Sequence, residues 1–300
     1  MEKTGADMAD APNKFASSKN VFIGIILVGI AALSWSTAGL FTRVVTTDIP
    51  TTLFWRSVFD GIAVLMIYFA MRRPKTFQSL TQFNKGEVVL ALVSGVAMCL
   101  FISAFFFTSI ANVSFVYGTS PLVTVILAWV LLKDKPMATT MLAVIMSGVG
   151  VAILVWGGQD FSDIIGLLLA GGMTLLMASI AVLAKYFPNT DSGKATYLSA
   201  IIAAVFMAPF VTSFALDGHN MIWLALYGLV NVGLGFGIYL MGVERVTPAT
   251  AALIGLLEVP LAPIWAAWLF DEIITLSIVI GGGFIVLAAV MHIQSTAKKI

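Results

Sequence analysis

The chain has 300 residues, 60% hydrophobic and 10% charged, with a formal net charge of +1 and a mean hydropathy of +1.02. That balance excludes an ordinary soluble domain and points to a lipid bilayer as the chain's surroundings. A net charge of +1 by itself says nothing about nucleic acid, since the distribution of charge is what matters, and no such partner is expected. The single Cys99 excludes an intramolecular disulfide, and with only His219 and His292 beside it no metal site or cofactor is expected.

Residues 1–20 mix both charge signs with Ala, Ser and Pro and read as a disordered cytoplasmic tail. They lack the charged, apolar and small-residue sequence of a cleaved signal peptide, so the first span is expected to be retained. A membrane helix needs about 20 apolar residues. Ten such stretches follow: 21–44, 50–71, 87–110, 113–132, 137–156, 164–187, 194–214, 221–242, 247–270 and 272–293, with a second cytoplasmic tail over 294–300. Backbone groups in lipid must be satisfied within the segment, so these are helices. Two boundaries are thin. The run 87–132 has Asn112 as its obvious break, yet at ~1.5 Å per residue it is about twice too long for one crossing. Asp271-Glu272 is a similarly short turn.

The ten stretches fall into two weak copies, 21–156 and 164–293. GIILVGIAALSWSTAGLFTRVV (24–45) aligns with GLLLAGGMTLLMASIAVLAKYF (166–187), placing Gly24 on Gly166, Gly29 on Gly171 and Arg43 on Lys185. TSPLVTVILAWVLL (119–132) aligns with EVPLAPIWAAWLFD (258–271), placing Pro121 on Pro260 and Trp129 on Trp268. Five spans per copy is an odd number, so the second copy is inverted in the membrane. That is the plan of a secondary transporter rocking around a midplane site.

A cytoplasmic N-terminus puts Lys3, Lys14, Lys19, Arg72, Arg73, Lys75, Lys85, Lys133, Lys135, Lys185, Lys194, Arg245, Lys298 and Lys299 on the inner side. Only Arg43 falls outside, and Arg56 lies within the second span. The positive-inside rule selects this orientation. Trp129, Trp156, Trp223 and Trp268 then sit near helix ends, as interfacial indoles do.

Ionisable residues inside a membrane are costly and mark candidate functional positions. Arg56 and Asp60 are four apart and share a helix face. They read either as a self-neutralised pair pinning the second helix or as a gate, with Arg56 free to meet a carboxylate or phosphate. Glu258, in the ninth span, has no basic residue within a turn. It is the candidate carrier of a coupling proton or partner for an amine. The first copy has Thr119 in its place, and the second has Leu198 in place of Arg56. Scaffold features recur in both copies, so features found in one copy are the better candidates for chemistry. Pro121 and Pro260 recur. Each removes a backbone hydrogen bond, which makes both candidate hinges. Trp35, Tyr117, Thr119, Ser120, Asn231, Tyr239 and Trp265 lie away from the loops and, with Glu258, form a candidate substrate pocket. Gly233, Gly237 and the run Gly281–Gly283 read as close packing faces. No GxxxxGK[ST] loop is present, so the chain is not itself an ATP-driven pump. No buried Ser-His or His cluster is available for an intramembrane enzyme.

These segments resemble the drug/metabolite transporter superfamily, specifically its EamA type. ALSWSTAGLFTR (32–43) is similar to the family's first-helix pattern and FWRSVFDGIAVL (54–65) to its second-helix Arg segment. SPLVTVILAWVLLKDKP (120–136) and LEVPLAPIWAAWLFDEI (257–273) resemble its paired proline-to-glutamate helix ends. The first copy departs in reading Lys133-Asp134 where the family usually has Gly-Glu, and the acidic position there is read as a structural cap. The resemblance implies ten helices and a central cavity lined mainly by helices 1, 3, 4, 6, 8 and 9, with helices 5 and 10 peripheral. It also implies secondary transport, often export of amino acids or other small metabolites, and places Trp35 and Glu258 near the cavity. The expectation is an inner-membrane exporter of such solutes by alternating access, with protons as the candidate coupling ion. The competing expectations are an exporter of lipophilic cations and a membrane scaffold with no transport cycle.

Overall fold

The computed structural model describes residues 18–72, 78–133, 135–157, 161–187, 189–243, 245–246, 251 and 254–297. Residues 1–17 of the expected 1–20 tail, the start of the ninth span at 247–250, Asp134 and residues 298–300 lie outside them, while 18–20 begin the first helix instead of belonging to a disordered tail. Among the described residues all regular structure is helical. Helices α1 (Ser18–Ser36) and α2 (Ala38–Val44) form span 1, and α3 (Ile49–Arg72) forms span 2. A short α4 (Gln78–Thr81) precedes α5 (Lys85–Phe107), which is span 3. Span 4 is α6 (Ile110–Gly118) with α7 (Ser120–Leu132), span 5 is α8 (Ala138–Gly157) and span 6 is α9 (Phe161–Tyr186). Span 7 is α10 (Ser192–Met207); span 8 joins α11 (Gly218–Leu226), a π-helical stretch (Tyr227–Leu234) and α12 (Gly235–Val243). Span 9 ends in α13 (Glu258–Phe270), and span 10 is α14 (Leu276–Ala297). Eight of these helical stretches are long and apolar enough to cross a bilayer, and Glu258–Phe270 and Leu276–His292 are shorter apolar helices. Phe22, Met66, Trp156, Leu168, Val205 and Leu287 present large apolar side chains outward, as a lipid-facing surface does. The protein is an all-α membrane protein of ten spans in two inverted five-helix repeats.

The packing carries the repeat symmetry. Spans 2 and 7, 4 and 9, and 5 and 10 each pack together, so three pairs of equivalent spans meet across the axis relating the copies. Span 1 packs on span 8 while span 6 packs on span 3, and these contacts are images of one another. Spans 5 and 10 approach closely at two glycines. A Cβ on Gly150 would lie 2.6 Å from the Gly281 carbonyl oxygen, and one on Gly281 would lie 2.7 Å from that of Gly150. Gly282 receives the Phe115 ring of span 4, and Gly233 admits Ala63 of span 2.

Capping side chains place the boundaries. Asn84 and Glu87 form a reciprocal capping box at the start of α5. The Asp191 N–H donates to Glu87 Oε1 at 3.3 Å, so this buried carboxylate ties span 3 to the link before span 7. The break between spans 3 and 4 falls at Thr108-Ser109, both extended, rather than at Asn112. Ser109 Oγ accepts the Asn112 N–H at 3.1 Å, and Asn112 Nδ2 donates to Thr108 Oγ1 at 2.9 Å. Asn112 therefore secures the turn from inside α6, where a buried amide finds both partners.

Helices α7 and α13 end alike, on left-handed residues at Lys133 (φ 62°) and Asp271 (φ 52°). A left-handed backbone costs an ordinary L-residue about 1–2 kcal/mol, and aspartate tolerates it better than lysine. Lys133→Gly is therefore expected to stabilise the protein by about 1 kcal/mol, read as a raised unfolding midpoint in detergent. An unchanged midpoint would place the strain elsewhere.

Candidate functional site

Three spans interrupt their hydrogen bonding near mid-length. In span 1 the Thr37 N–H and Oγ1 both donate to the Ser34 carbonyl, at 3.3 and 2.5 Å, and the helix restarts at Ala38. In span 4 the break is Thr119, whose Oγ1 donates to the Val116 carbonyl at 2.7 Å. Pro121 follows as the second residue of α7, where a missing N–H leaves no helical acceptor unpaired. In span 9 the chain turns at Leu256-Leu257 and restarts at Glu258. Glu258 is thus the first residue of a half-helix, not the middle of a continuous one, and faces the positive end of its dipole. Pro260 is the third residue of α13, and Pro263 lies within it. The two breaks touch, since a Cβ on Gly118 would lie 3.1 Å from Val259 Cγ1.

Beside these breaks lies a cavity of ≈ 320 Å³, within the roughly 300–1,000 Å³ usual for small-molecule pockets. Trp35, Tyr117, Asn231 and Glu258 line it. Thr119, Ser120, Tyr239 and Trp265 do not, and each has a structural position. Thr119 serves the helix break, and Ser120 offers its carbonyl to Thr124 Oγ1 at 2.9 Å. Tyr239 packs on Trp35 with ring centroids 5.1 Å apart. Trp265 Nε1 donates to Ser36 Oγ at 3.0 Å, buttressing a residue of the cavity wall.

Sequence reasoning missed most of the remaining wall. Span 3 contributes Ser94, Met98 and Phe101, span 6 Met173 and Met177, and span 7 Thr196 and Ser199. Span 7 is an addition to the helices the family resemblance implied. Among the described residues, none of spans 5 and 10 lines the wall. The π-helical stretch supplies Asn231. Its Nδ2 donates to the Ser34 and Trp35 carbonyls at 3.1 and 3.2 Å, and Ser34 Oγ donates to the Val230 carbonyl at 2.5 Å. Two irregular backbones, the span 1 break and the π stretch, thereby satisfy each other. Among the described residues, nothing donates a hydrogen bond to the Glu258 carboxylate or pairs with its charge.

One end of the cavity is tied shut. Phe105 and Gly39 line it, and beyond them Arg43 of α2 donates Nη1 to the Phe105 carbonyl at 2.8 Å and Nη2 to the Thr108 carbonyl at 3.0 Å. Arg43 Nη2 also meets Glu272 Oε1 at 2.7 Å, and Glu272 Oε2 accepts the Ile110 N–H at 3.1 Å. Thr108 Oγ1 donates to Asp163 Oδ1 at 2.7 Å. Five spans and both repeats are joined at this end.

Arg56 and Asp60 form a buried ion pair, with Arg56 Nη1 2.8 Å from Asp60 Oδ2. The guanidinium lies over the Tyr227 ring at 5.0 Å from its centroid.

The comparisons with known proteins follow the same outline. The EamA-like transporter family model matches residues 22–156 and again 164–294. The uncharacterized transporter YwfM of Bacillus subtilis is 22% identical over 294 residues, spanning 91% of this chain and 96% of that protein. An uncharacterized transporter of Clostridium kluyveri is 22% identical over 254 residues, spanning 79% of this chain and 81% of its own length. A solved crystal structure shares the fold with a TM-score of 0.64 at 18% identity, over 94% of this chain and 99% of that one.

Proposed function

The chain belongs to the EamA-like transporter family, and we propose that it exports small amphipathic metabolites, amino acids foremost, by alternating access. Its place is the inner membrane with both termini cytoplasmic, the orientation that gathers nearly all basic residues on one side. In that orientation the Arg43 end faces outward and the described conformation is closed to the outside. Pro121 and Pro260, in the first turns of the half-helices after the two touching breaks, are the hinges of the cycle.

The observation that carries this reading is the ≈ 320 Å³ cavity at paired helix breaks, with aromatic and thioether walls and Glu258 as the one carboxylate among the described residues of its lining. Apolar walls suit the body of an amphipathic solute, and the hydroxyls of Ser94, Thr196 and Ser199 suit its polar groups. Glu258, without a basic partner, carries the coupling proton. The same feature supports a second reading, export of lipophilic cations with Glu258 as counter-charge. The test is counterflow in sealed proteoliposomes with L-amino acids and with tetraphenylphosphonium. Amino acids should exchange, and Glu258→Gln should slow that exchange at least about tenfold, the scale of one transition-state interaction. Exchange of the cation alone would support the second reading. A folded protein that moves neither would support a scaffold.

A further inference from the structure

A second, smaller cavity of ≈ 40 Å³ adjoins the first and shares Met98, Thr196, Ser199 and Val232 with it. Its far wall is Arg56, Ser57 and Asp60. All three are buried, and their polar atoms are poorly used. Among the described residues, Arg56 Nε, Nη1 and Nη2, Ser57 Oγ and Asp60 Oδ1 have no hydrogen-bond partner. The 2.8 Å contact of Nη1 with Asp60 is an ion pair without hydrogen-bond geometry. Tyr227 covers one face of the guanidinium and leaves its edge free. Leaving buried charged donors and acceptors unpaired is costly, so native structures fill such places.

The unfilled groups specify the occupant. Two adjacent guanidinium N–H groups and a hydroxyl match the two oxygens of a carboxylate, which arginine binds through paired N–H groups. Asp60 Oδ1 is a free acceptor beside them and matches an ammonium group. The Arg56–Asp60 pair is neutral as a unit. A lone carboxylate would leave a net negative charge in a buried chamber, and a lone amine would leave a net positive one. A zwitterion leaves none. The chamber exceeds the roughly 10–15 Å³ that one water needs, so it has room for a small polar group. We infer that this side chamber holds the amino-carboxylate head of the substrate, with Arg56 and Ser57 on the carboxylate and Asp60 on the ammonium. The substrate's side chain then lies in the main cavity, and Glu258 is left free for the proton. This rests on the amino-acid reading above and narrows it to solutes with adjacent amine and acid groups.

The test uses the full chain in proteoliposomes with alanine, leucine and phenylalanine, and for each the decarboxylated amine and the deaminated acid. The amino acids should exchange, and both truncated analogues should be at least about 100-fold poorer, because each leaves buried polar groups unpaired. Ser57→Ala should raise the amino-acid KM about tenfold, the scale of one hydrogen bond to a charged group. Arg56→Leu/Asp60→Leu keeps the chamber neutral and should abolish discrimination against the truncated analogues. Amines exchanging as well as the amino acids, or discrimination surviving in the double variant, would overturn the inference while leaving amino-acid transport intact. Exchange of tetraphenylphosphonium without any amino acid would overturn the inference and the functional reading together.

Discussion

Arg56→Leu is expected to destabilise the protein by about 3–5 kcal/mol, because it leaves the Asp60 carboxyl buried without its partner. Arg56 is wholly inaccessible and Asp60 is 4% exposed, so neither has bulk solvent to replace its partner. Arg56→Leu/Asp60→Leu removes both charges together and should recover most of the loss, since replacing a buried pair with apolar groups is often neutral. The measurement is denaturant unfolding in micelles of the two variants and the parent chain. Equal loss in the single and double variants would mean that packing against Tyr227, and not charge pairing, holds span 2.

The second large effect concerns the closed end. Arg43 joins α2 to Phe105, Thr108 and Glu272 through four hydrogen bonds. The pair is partly exposed, with the Arg43 side chain at 30%, so the Coulomb contribution alone is small. The backbone carbonyls it satisfies matter more, because span 3 ends there. Arg43→Met is expected to speed amide hydrogen exchange over Phe105–Asn112 about tenfold, a shift of about 1.4 kcal/mol toward the open end. Glu272→Gln should have a smaller effect, because it weakens the contacts of Glu272 with Arg43 and the Ile110 N–H but leaves the Arg43 bonds to the Phe105 and Thr108 carbonyls. Unchanged protection in Arg43→Met would show that the helices close this end without the latch. The repeat places a basic residue, Lys185, at the matching position on span 6. That marks the opposite end as the place to seek the counterpart.

The spans were legible because twenty apolar residues in a row have few alternatives, and the repeat fixed their count. Glu258 and the Arg56–Asp60 pair were legible because charge in an apolar helix is conspicuous. The helix breaks were not. Thr37 and Thr119 bond carbonyls three residues back where their helices break, yet Ser199 bonds the Thr196 carbonyl three residues back and span 7 runs on unbroken. The residue types barely differ, so the outcome depends on packing around each hydroxyl. The π stretch also left no pattern, although Asn231 within an apolar run was the available signal. Met98, Met173 and Met177 read as ordinary core, because a methionine facing a cavity and one facing a helix look alike in sequence.

Glu258 carries the proposed coupling, and solute-driven proton movement tests that role directly. A pH-sensitive dye is sealed in proteoliposomes carrying the parent chain or Glu258→Gln, and an amino-acid gradient is imposed. Proton movement should follow the gradient in the parent chain and vanish in the variant, with any residual exchange indifferent to pH. Proton movement of equal size in Glu258→Gln would contradict that role.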